Sequence, residues 1–473
     1  GSTPEMVQRK NSDIKAQVTP KYLENDNAAV NLPVTNDGPD TVSQSPKIIT
    51  VCLSEEPTSL YILAQEGRGW GHIQEALRDG PIEQRMYSYQ PVILDKLPHW
   101  EDGDVWITET TVNPGEMMVA ADGRLITLEP GVPYWTPKFE RSVAQDAEGI
   151  TTIEMHVVFK IRSDVLWSDG KALTAADSVF GFQIASDADT PTSKVLALRT
   201  QSYEALGPLT IEWTGVAGYF NHDYVMSFAE PLPLHRYGHL SAAEMLRDVQ
   251  VNRYPVGWGA FRVTDWIDGE YISLERNENY FRRSENLPRI DELHFVFTKT
   301  EVEALTRLTD GTCHIALRNQ WDAWEKHVED LLSDQSAQKL ALQFIPGPIL
   351  EHIDFGINSD ARYRSMADNN ILKSVEIRQA FAHCIDRKNL ADAVQWGTGV
   401  LAHSYVPANH PLYNDEEGLY RYDYDPEHGR ALLSETGWET QDDSAIRSQD
   451  GSEFVLKYFT NIPHDYSGRL RKI

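Results

Sequence analysis

Several segments contain residue types that could do chemistry, but their spacing completes no catalytic motif. The segment GTGVLA, residues 397–402, fits the GxGxxA pattern of a dinucleotide-binding loop. Such a loop needs a strand before it and a helix after it, whereas here a helix is predicted to precede it. In LWSDG, Leu166 stands where the nucleophile elbow of a hydrolase needs glycine. The sequence therefore predicts neither a dinucleotide site nor a serine-hydrolase site.

Metal-binding patterns are missing from the sequence as well. The 15 histidines are scattered, and the chain has no HExxH, Walker or EF-hand motif. The three cysteines, Cys52, Cys313 and Cys384, are far apart and form no CxxC pair, so a zinc site or a redox dithiol is not expected. Cys384 falls on the apolar stripe of a predicted helix and is expected to be a small buried side chain. No metal and no other cofactor is predicted.

Composition and charge exclude other classes of protein. The chain has 473 residues, of which 41% are hydrophobic and 24% charged, which is typical of a globular protein with two or three domains. Its 43 Lys plus Arg against 71 Asp plus Glu give a net charge of -28, which repels nucleic acid and anionic lipid. No apolar run reaches the roughly 18–20 residues that a membrane span requires.

The N-terminal part of the chain divides into a polar segment and a first strand. Residues 1–45 are rich in Asn, Asp, Thr, Pro and Ser, without helix or strand periodicity, and are predicted to form a disordered tether. The β-prone run from Ile48 to Leu53 then predicts a strand that ends before Pro57.

A strand, a turn and a capped helix are predicted in the middle of the chain. Apolar residues alternate from Ile153 to Ile161, as in a strand with one buried face. Asp169-Gly170 turns the chain, and Thr174 with Asp177 forms a capping box at the start of a helix. These structural requirements account for every residue type in the segment, so no catalytic residue is inferred there.

The C-terminal part alternates between helices and a strand. EIRQAFAHCI, residues 376–385, has helical spacing, and Asp386 is expected to cap a following helix. Asp425 is expected to cap another helix that ends at Gly437, after which EFVLKYFT, residues 453–460, reads as a strand. This alternation predicts an α/β fold.

The capped segment also resembles a known family. FKIRSDVLWSDGKALTAADSVFGF, residues 159–182, is similar to the motif of the family 5 extracellular solute-binding proteins, the peptide- and nickel-binding components of ABC importers. Further segments resemble this family in the same order along the chain, and together they cover most of it from Lys47 onward. They are SEEPTSLY (54–61), EPLPLHRYG (230–238), YPVGWGAFRVTDWIDGEYISLERNENYF (254–281), LKSVEIRQAFAHCIDRKNL (372–390) and YDYDPEHGRALLSETGW (422–438).

The resemblance implies a fold and its division into domains. The fold is a two-lobed α/β fold like that of the periplasmic binding proteins, of the type II large class with an inserted extra subdomain. Residues 46–297 would form lobe I, including an inserted subdomain at about 72–150, and residues 298–473 would form lobe II. Family members continue beyond the point that corresponds to Ile473, so the second lobe is expected to be incomplete.

The resemblance also implies which residues meet a ligand. The turn after the first strand and the loop after residues 453–460 face the cleft in this family, and Trp396 and Tyr405 flank a nearby glycine turn. That loop lacks the early Arg that many peptide binders carry, which favours a ligand other than a simple dipeptide, although peptide is the family default. The candidate ligand contacts are Thr58, Ser59, Tyr61, Trp396, Tyr405, Asn461, His464, Asp465 and Tyr466.

The resulting expectation is a receptor that performs no covalent chemistry. It would capture a small solute by closing its lobes and deliver it to the permease of an ABC importer. The ligand would be a peptide, with an oligosaccharide or a metal chelate as alternatives, and a cleft-bearing hydrolase is the competing class. The protein would be a monomer outside the cytoplasmic membrane, without a nucleic-acid partner, and the long polar N-terminus suits a lipid anchor.

Overall fold

The structure is a computed structural model, and it describes most of the chain between Pro46 and Leu456. Contacts within the chain separate residues 46–473 from residues 1–45, and the latter, predicted to form a disordered tether, lie outside the described residues. The described residues are 46–64, 70–85, 87–145, 149–317, 331, 334, 340–341, 352–357, 371–395, 400–407, 410–413, 419–440 and 446–456.

These ranges contain both helices and strands. The strands are β1 Ile48–Leu53, β2 Ile82–Arg85, β3 Ser88–Pro91, β4 Val105–Val112, β5 Met117–Val119, β6 Leu125–Thr127, β7 Pro133–Trp135, β8 Arg141–Val143, β9 Ile150–Lys160, β10 Thr200–Ala205, β11 Thr210–Gly215, β12 Phe261–Ile267, β13 Tyr271–Arg276, β14 Glu292–Phe297, β15 Ile315–Ala316, β16 Glu439–Thr440, β17 Arg447–Gln449 and β18 Ser452–Glu453. The helices are α1 Trp70–Leu77, α2 Ala175–Ser186, α3 Val195–Leu198, α4 Leu234–Tyr237, α5 Ala242–Met245, α6 Val249–Arg253, α7 Glu301–Thr309, α8 Val375–Cys384, α9 Arg387–Gln395 and α10 Pro426–Glu435. Within the described residues, no helix is long and apolar enough to cross a bilayer.

A five-stranded mixed sheet carries the predicted first strand. Its order is β12-β13-β14-β1-β15, and β1 runs parallel to both β14 and β15. The apolar side chains of β1 pack with one face of α1, so that Leu53, Ile73 and Leu77 are at most 1% exposed. The strand predicted from Ile48 to Leu53 is confirmed. Its β-branched residues are typical of a strand in a sheet that is covered by helices.

The alternating segment forms the centre of a second sheet. This antiparallel sheet has the order β10-β11-β9-β4, and β9 pairs with both β11 and β4. Met155, Val157 and Phe159 of β9 are fully buried and pack around Trp213 of β11. The predicted strand with one buried face is therefore confirmed.

The turn and the capped helix also form as predicted. Gly170 has a φ of +86°, and α2 begins directly after Thr174. The Asp177 carboxylate accepts hydrogen bonds from the Thr174 backbone N–H at 2.8 Å and from its hydroxyl at 2.9 Å. Its other oxygen accepts from the Leu234 N–H at 2.9 Å, so this capping residue also connects α2 to α4.

The connection between β4 and β9 is far longer than an antiparallel pair requires. Two residues suffice for a hairpin, whereas here residues 113–145 contain two further hairpins, β5-β6 and β7-β8. Met118, Leu128 and Ala144 from these hairpins form a small core with Val112 and Ile150. The connection is therefore a folded structure packed against the second sheet.

The C-terminal helices agree with their predicted caps, but two details of the prediction are wrong. Asp386 and Asp425 each accept a hydrogen bond from a helical N–H, at 3.0 Å and 2.9 Å. Cys384, predicted to be buried, is exposed, although it lies on the same helix face as the buried Ile377 and Ala380, because it is the last residue of α8. Of the strand predicted over 453–460, only Glu453 lies in a strand, β18; residues 454–456 form no strand, and 457–460 lie outside the described residues.

A disulfide, which the cysteine spacing does not predict, connects the first sheet across the chain. Cys52 of β1 bonds to Cys313, which precedes β15, with a sequence separation of 261. Both residues are at most 2% exposed and pack against Ala304 of α7. The bond therefore fixes α7 and β15 beside the first strand.

Candidate functional site

The turn after β1, where the sequence predicts ligand contacts, is held by a hydrogen bond from a distant helix. The Ser59 hydroxyl donates to Asn252 Oδ1 at 2.6 Å and accepts from the Tyr61 N–H at 2.8 Å. Asn252, in α6, also accepts at its backbone carbonyl from the Leu60 N–H at 2.7 Å. One side chain and one carbonyl of α6 thus determine the conformation of this turn.

Residues on both sides of the turn anchor it further. Gln74 of α1 donates through Nε2 to the Leu60 carbonyl at 2.7 Å. The Glu56 carboxylate accepts from Trp266 Nε1 at 2.7 Å and from the Gly269 N–H at 2.8 Å, and so closes the β12-β13 hairpin. Because these bonds come from α1 and from the first sheet, the turn is pre-organised before any ligand binds.

Tyr61 packs into the interior instead of pointing outward. Its side chain is 1% exposed, and its hydroxyl donates to the Met245 sulfur at 3.6 Å. Burial raises the pKa of Tyr61 well above its usual value, although the nearby Arg78 opposes this shift. The ring therefore serves here as a neutral packing element against α5.

A buried ion pair lies close to Tyr61. Arg78 Nη1 is 3.9 Å from Glu230 Oε1, and the guanidinium lies 5.7 Å from the ring centroid of Trp258. Burial raises the pKa of Glu230 to about 7, against the attraction of Arg78. Among the described residues, Arg78 Nη1 has no hydrogen-bond partner. The Glu230 carboxyl group, whose side chain is 24% exposed, therefore holds its proton to a higher pH than an ordinary glutamate does.

The structure places some of the predicted contact residues and leaves others outside its described part. Thr58 is exposed at the tip of the turn, whereas Ser59 is 6% exposed and bonded internally. Tyr405 is 86% exposed. Ligand contact by these residues and by Tyr61 stays a prediction. The predicted contacts outside the described residues are Trp396, Asn461, His464, Asp465 and Tyr466.

Sequence reasoning missed the residues that position this turn. Asn252 of α6 and Gln74 of α1 reach it from distant elements, and no local motif marks either of them, whereas Glu56 lies in the turn itself. No group of three His, Cys, Asp or Glu side chains suited to a metal ion occurs in the described part of the chain. The described geometry is therefore that of a fixed turn with an exposed tip.

Comparisons with known proteins assign the family. The sequence profile of the bacterial extracellular solute-binding proteins, family 5 middle region, matches residues 142–471. The oligopeptide-binding protein AppA of Bacillus subtilis is 26% identical over 328 residues, which is 67% of this chain and 55% of that protein. The dipeptide-binding protein of Escherichia coli is 24% identical over 328 residues, which is 65% of this chain and 55% of that protein. The chain thus spans about half the length of the curated relatives it matches.

A solved structure gives the fold independently. The ABC transporter substrate-binding protein CtaP of Listeria monocytogenes superposes with a TM-score of 0.53 and 18% identity, covering 84% of this chain and 66% of that one. At this identity the likeness shows the fold alone, which is the two-lobed α/β fold of the periplasmic binding proteins. Since the profile match covers more than half of the sequence, the chain belongs to the family 5 bacterial extracellular solute-binding proteins.

Proposed function

We propose that this protein is the substrate-binding receptor of an ABC importer and that it captures peptides. The observation that carries the proposal is the family match over residues 142–471. Two relatives along this stretch are described as oligopeptide- and dipeptide-binding proteins, which supports a peptide ligand over an oligosaccharide or a metal chelate.

The mechanism we propose is capture by lobe closure. A ligand that contacts both lobes stabilises the closed state, so binding shifts the equilibrium between open and closed forms. The permease of the importer would recognise the closed, loaded form and receive the ligand unchanged. No bond of the ligand is made or broken, so the protein has no need of a nucleophile or a general base.

Within the turn after β1, we propose different roles for neighbouring residues. Thr58, which is exposed, contacts the ligand, while Ser59 and Tyr61 hold the turn through their internal bonds. Tyr405, with 86% of its surface exposed, provides a second contact. Trp396, Asn461, His464, Asp465 and Tyr466 complete the proposed set on the strength of the family resemblance.

The family consists of extracellular proteins. For this chain we propose a more specific location. A receptor that feeds a permease works outside the cytoplasmic membrane, and we propose that a lipid anchor before the polar segment 1–45 holds it there. The protein would act as a monomer, because each lobe pair encloses its own ligand.

A thermal-shift screen tests the ligand class. The purified protein is heated with short peptides, with oligosaccharides and with nickel chelates in separate series. A ligand at 100 times its Kd stabilises the native state by about 2.7 kcal/mol, which raises Tm by several degrees. The proposal predicts this rise with peptides. A rise with chelates or sugars alone, at the same concentrations, would reject the peptide assignment.

A further inference from the structure

The two hairpins between β4 and β9 form a pocket together with the loop that follows β11. The pocket has a volume of about 360 Å³, which is near the lower end for small-molecule sites. It shares no residue with the turn after β1 or with any other predicted ligand contact. Its lining residues are Val119, Ala120, Ala121, Gly123, Trp135, Phe139, Gly218, Tyr219, Phe220 and His222, and we refer to it as the aromatic pocket.

Backbone hydrogen bonds fix the walls of the aromatic pocket. The Val119 N–H donates to the Ala217 carbonyl at 2.8 Å, and the Ala121 N–H donates to the Pro133 carbonyl at 2.8 Å. Gly218 has a φ of +81°, and a Cβ at this position would lie 2.3 Å from the Val119 carbonyl oxygen. Only glycine lets the loop approach the first hairpin this closely, so the pocket is pre-formed.

Four rings meet at the mouth of the pocket around Phe220. The ring centroid of Phe220 lies 5.5 Å from that of Phe139, 4.7 Å from that of His222 and 6.2 Å from that of Trp100. Phe139 is 48% exposed and Trp100 is 40% exposed. These rings therefore present open aromatic surface to solvent.

Phe139 holds its position at a conformational cost. Its φ is +59°, a region that a bulky residue rarely occupies. Its N–H donates to the Thr136 carbonyl at 2.8 Å, which closes the β7-β8 turn. Glycine would fit this turn without strain, and the exposed ring gains little from burial. Strained backbone positions of this kind are found more often at binding sites than elsewhere.

The pocket is neutral and has hydrogen-bonding groups at its edges. No Asp, Glu, Lys or Arg is among its lining residues. In the part of the chain that the structure describes, the side chains of Trp135, Tyr219 and His222 show no hydrogen bond to another residue. Arg199 supports the pocket from outside its lining, with its guanidinium 5.3 Å from the Tyr219 ring centroid and Nη2 donating to the Gly123 carbonyl at 2.5 Å.

We propose that the aromatic pocket binds a neutral sugar unit, at a site separate from the ligand cleft. A pyranose ring has apolar C–H faces that pack on aromatic rings and hydroxyl groups that bond to their polar edges. A charged ligand would lose its hydration without a charged lining residue to pair with, because Arg199 lies outside the lining, against the Tyr219 ring and the Gly123 carbonyl. A purely apolar ligand would leave the Tyr219, His222 and Trp135 edges without hydrogen bonds as they lose water. This site goes beyond the proposed receptor function and does not depend on it.

The test is saturation-transfer NMR on the purified protein with methyl β-glucoside, cellobiose, maltose and N,N′-diacetylchitobiose as probes. The proposal predicts saturable binding of at least one of them. Phe139→Gly removes one ring and keeps a residue suited to the turn, and Trp135→Ala removes another. Each variant should weaken binding by roughly 3–10-fold, the effect of losing one aromatic contact. Val143→Ala, which removes an exposed side chain of β8 outside the pocket, should leave binding unchanged.

Other outcomes would overturn the proposal. They are the absence of saturable binding by all four sugars, equal affinity in Phe139→Gly and wild type, or tighter binding of free L-phenylalanine than of any sugar. Phe139→Gly should have the same Tm as wild type or a higher one. Its affinity for the sugars therefore tests the proposal even if Trp135→Ala does not fold. Peptide binding should be the same in all variants. A failure of the sugar-site proposal can therefore be distinguished from a failure of the receptor proposal.

Discussion

The Ser59 hydroxyl donates to Asn252 Oδ1 at 2.6 Å, across a sequence separation of 193 residues. Asn252 Nδ2 in turn donates to the carbonyls of Met245 and Asp248, at 2.7 Å and 2.8 Å. One amide side chain thus connects the turn after β1 to the short helices α5 and α6. Thr58, which is exposed beside this bond, therefore lies in a turn that is already fixed before a ligand binds.

Removing this bond should destabilise the protein. Ser59→Ala leaves Asn252 Oδ1 and the Tyr61 N–H without a partner in a site that is 6% exposed. Such a loss costs about 1–3 kcal/mol of unfolding free energy, measurable by urea denaturation. Ser284→Ala, at an exposed position, should change it by less than about 0.5 kcal/mol. Equal stability of Ser59→Ala and Ser284→Ala would show that the bond does not hold the turn.

The disulfide should make a larger contribution. Cys52 and Cys313 close a loop with a sequence separation of 261, and cross-links of long loops stabilise proteins by about 2–5 kcal/mol. The double variant Cys52→Ala/Cys313→Ala should lose this amount in urea denaturation. Cys384→Ala, at the exposed free cysteine, is the matched control and should behave like wild type. The account is contradicted if the double variant is as stable as wild type, or if reductant leaves the midpoints of wild type and of the control unchanged.

The partly buried Glu230 predicts an unusual dependence of stability on pH. Burial raises its pKa from 4.5 to about 7, so the folded state binds this proton more tightly than the unfolded state. Its stabilising contribution is fully present below about pH 4.5 and is lost as the pH rises through about 7. Glu230→Gln imitates the protonated form and should stabilise the protein by about 1–3 kcal/mol at about pH 8, with little effect at about pH 4.

Other carboxylates also titrate over this pH range. The prediction is therefore tested by comparing the variants with wild type at the same pH. Unfolding free energies of wild type, Glu230→Gln and Glu129→Gln are measured at each pH, and Glu129 is an exposed control. If Glu230→Gln is less stable than wild type at about pH 8, then attraction to Arg78 outweighs burial, contrary to the shift of the pKa.

Two helical glycines should respond in opposite directions to replacement by alanine. A Cβ at Gly181 in α2 would lie 1.9 Å from the Glu230 carbonyl oxygen, so Gly181→Ala forces the backbone apart and should cost about 1–3 kcal/mol. A Cβ at Gly71 in α1 would meet nothing within 4 Å, and Gly71→Ala should stabilise by about 0.5–1 kcal/mol. Thermal unfolding of both variants measures the signs, and the same sign for both would refute the packing described here.

The elements that were predicted correctly are those determined by residues close together in the sequence. The period-2 alternation in β9 and the three-residue spacing of Thr174 and Asp177 each depend on a few neighbouring residues, and both are confirmed. The hairpins between β4 and β9 could not be predicted this way, because each strand has 3 residues and too few side chains to show a period. Cys384 was misplaced because helical spacing identifies a face but does not show how far along the helix that face stays covered.

The candidate site was predictable only in part, for a similar reason. Family resemblance marks the turn from Thr58 to Tyr61, but its conformation depends on Asn252 and Gln74, which lie far away in the sequence. The aromatic pocket depends on loops from three segments that meet only in the folded chain. Contacts of this kind arise from tertiary packing, and a single sequence does not reveal them.

The most direct test of the receptor account is native mass spectrometry of the purified protein after incubation with a mixture of short peptides. The account predicts a complex of one peptide per protein, with a release of peptides of unchanged mass when the complex is unfolded. The appearance of cleaved or otherwise altered peptides would contradict it, as would the complete failure of peptides to bind while another solute class does.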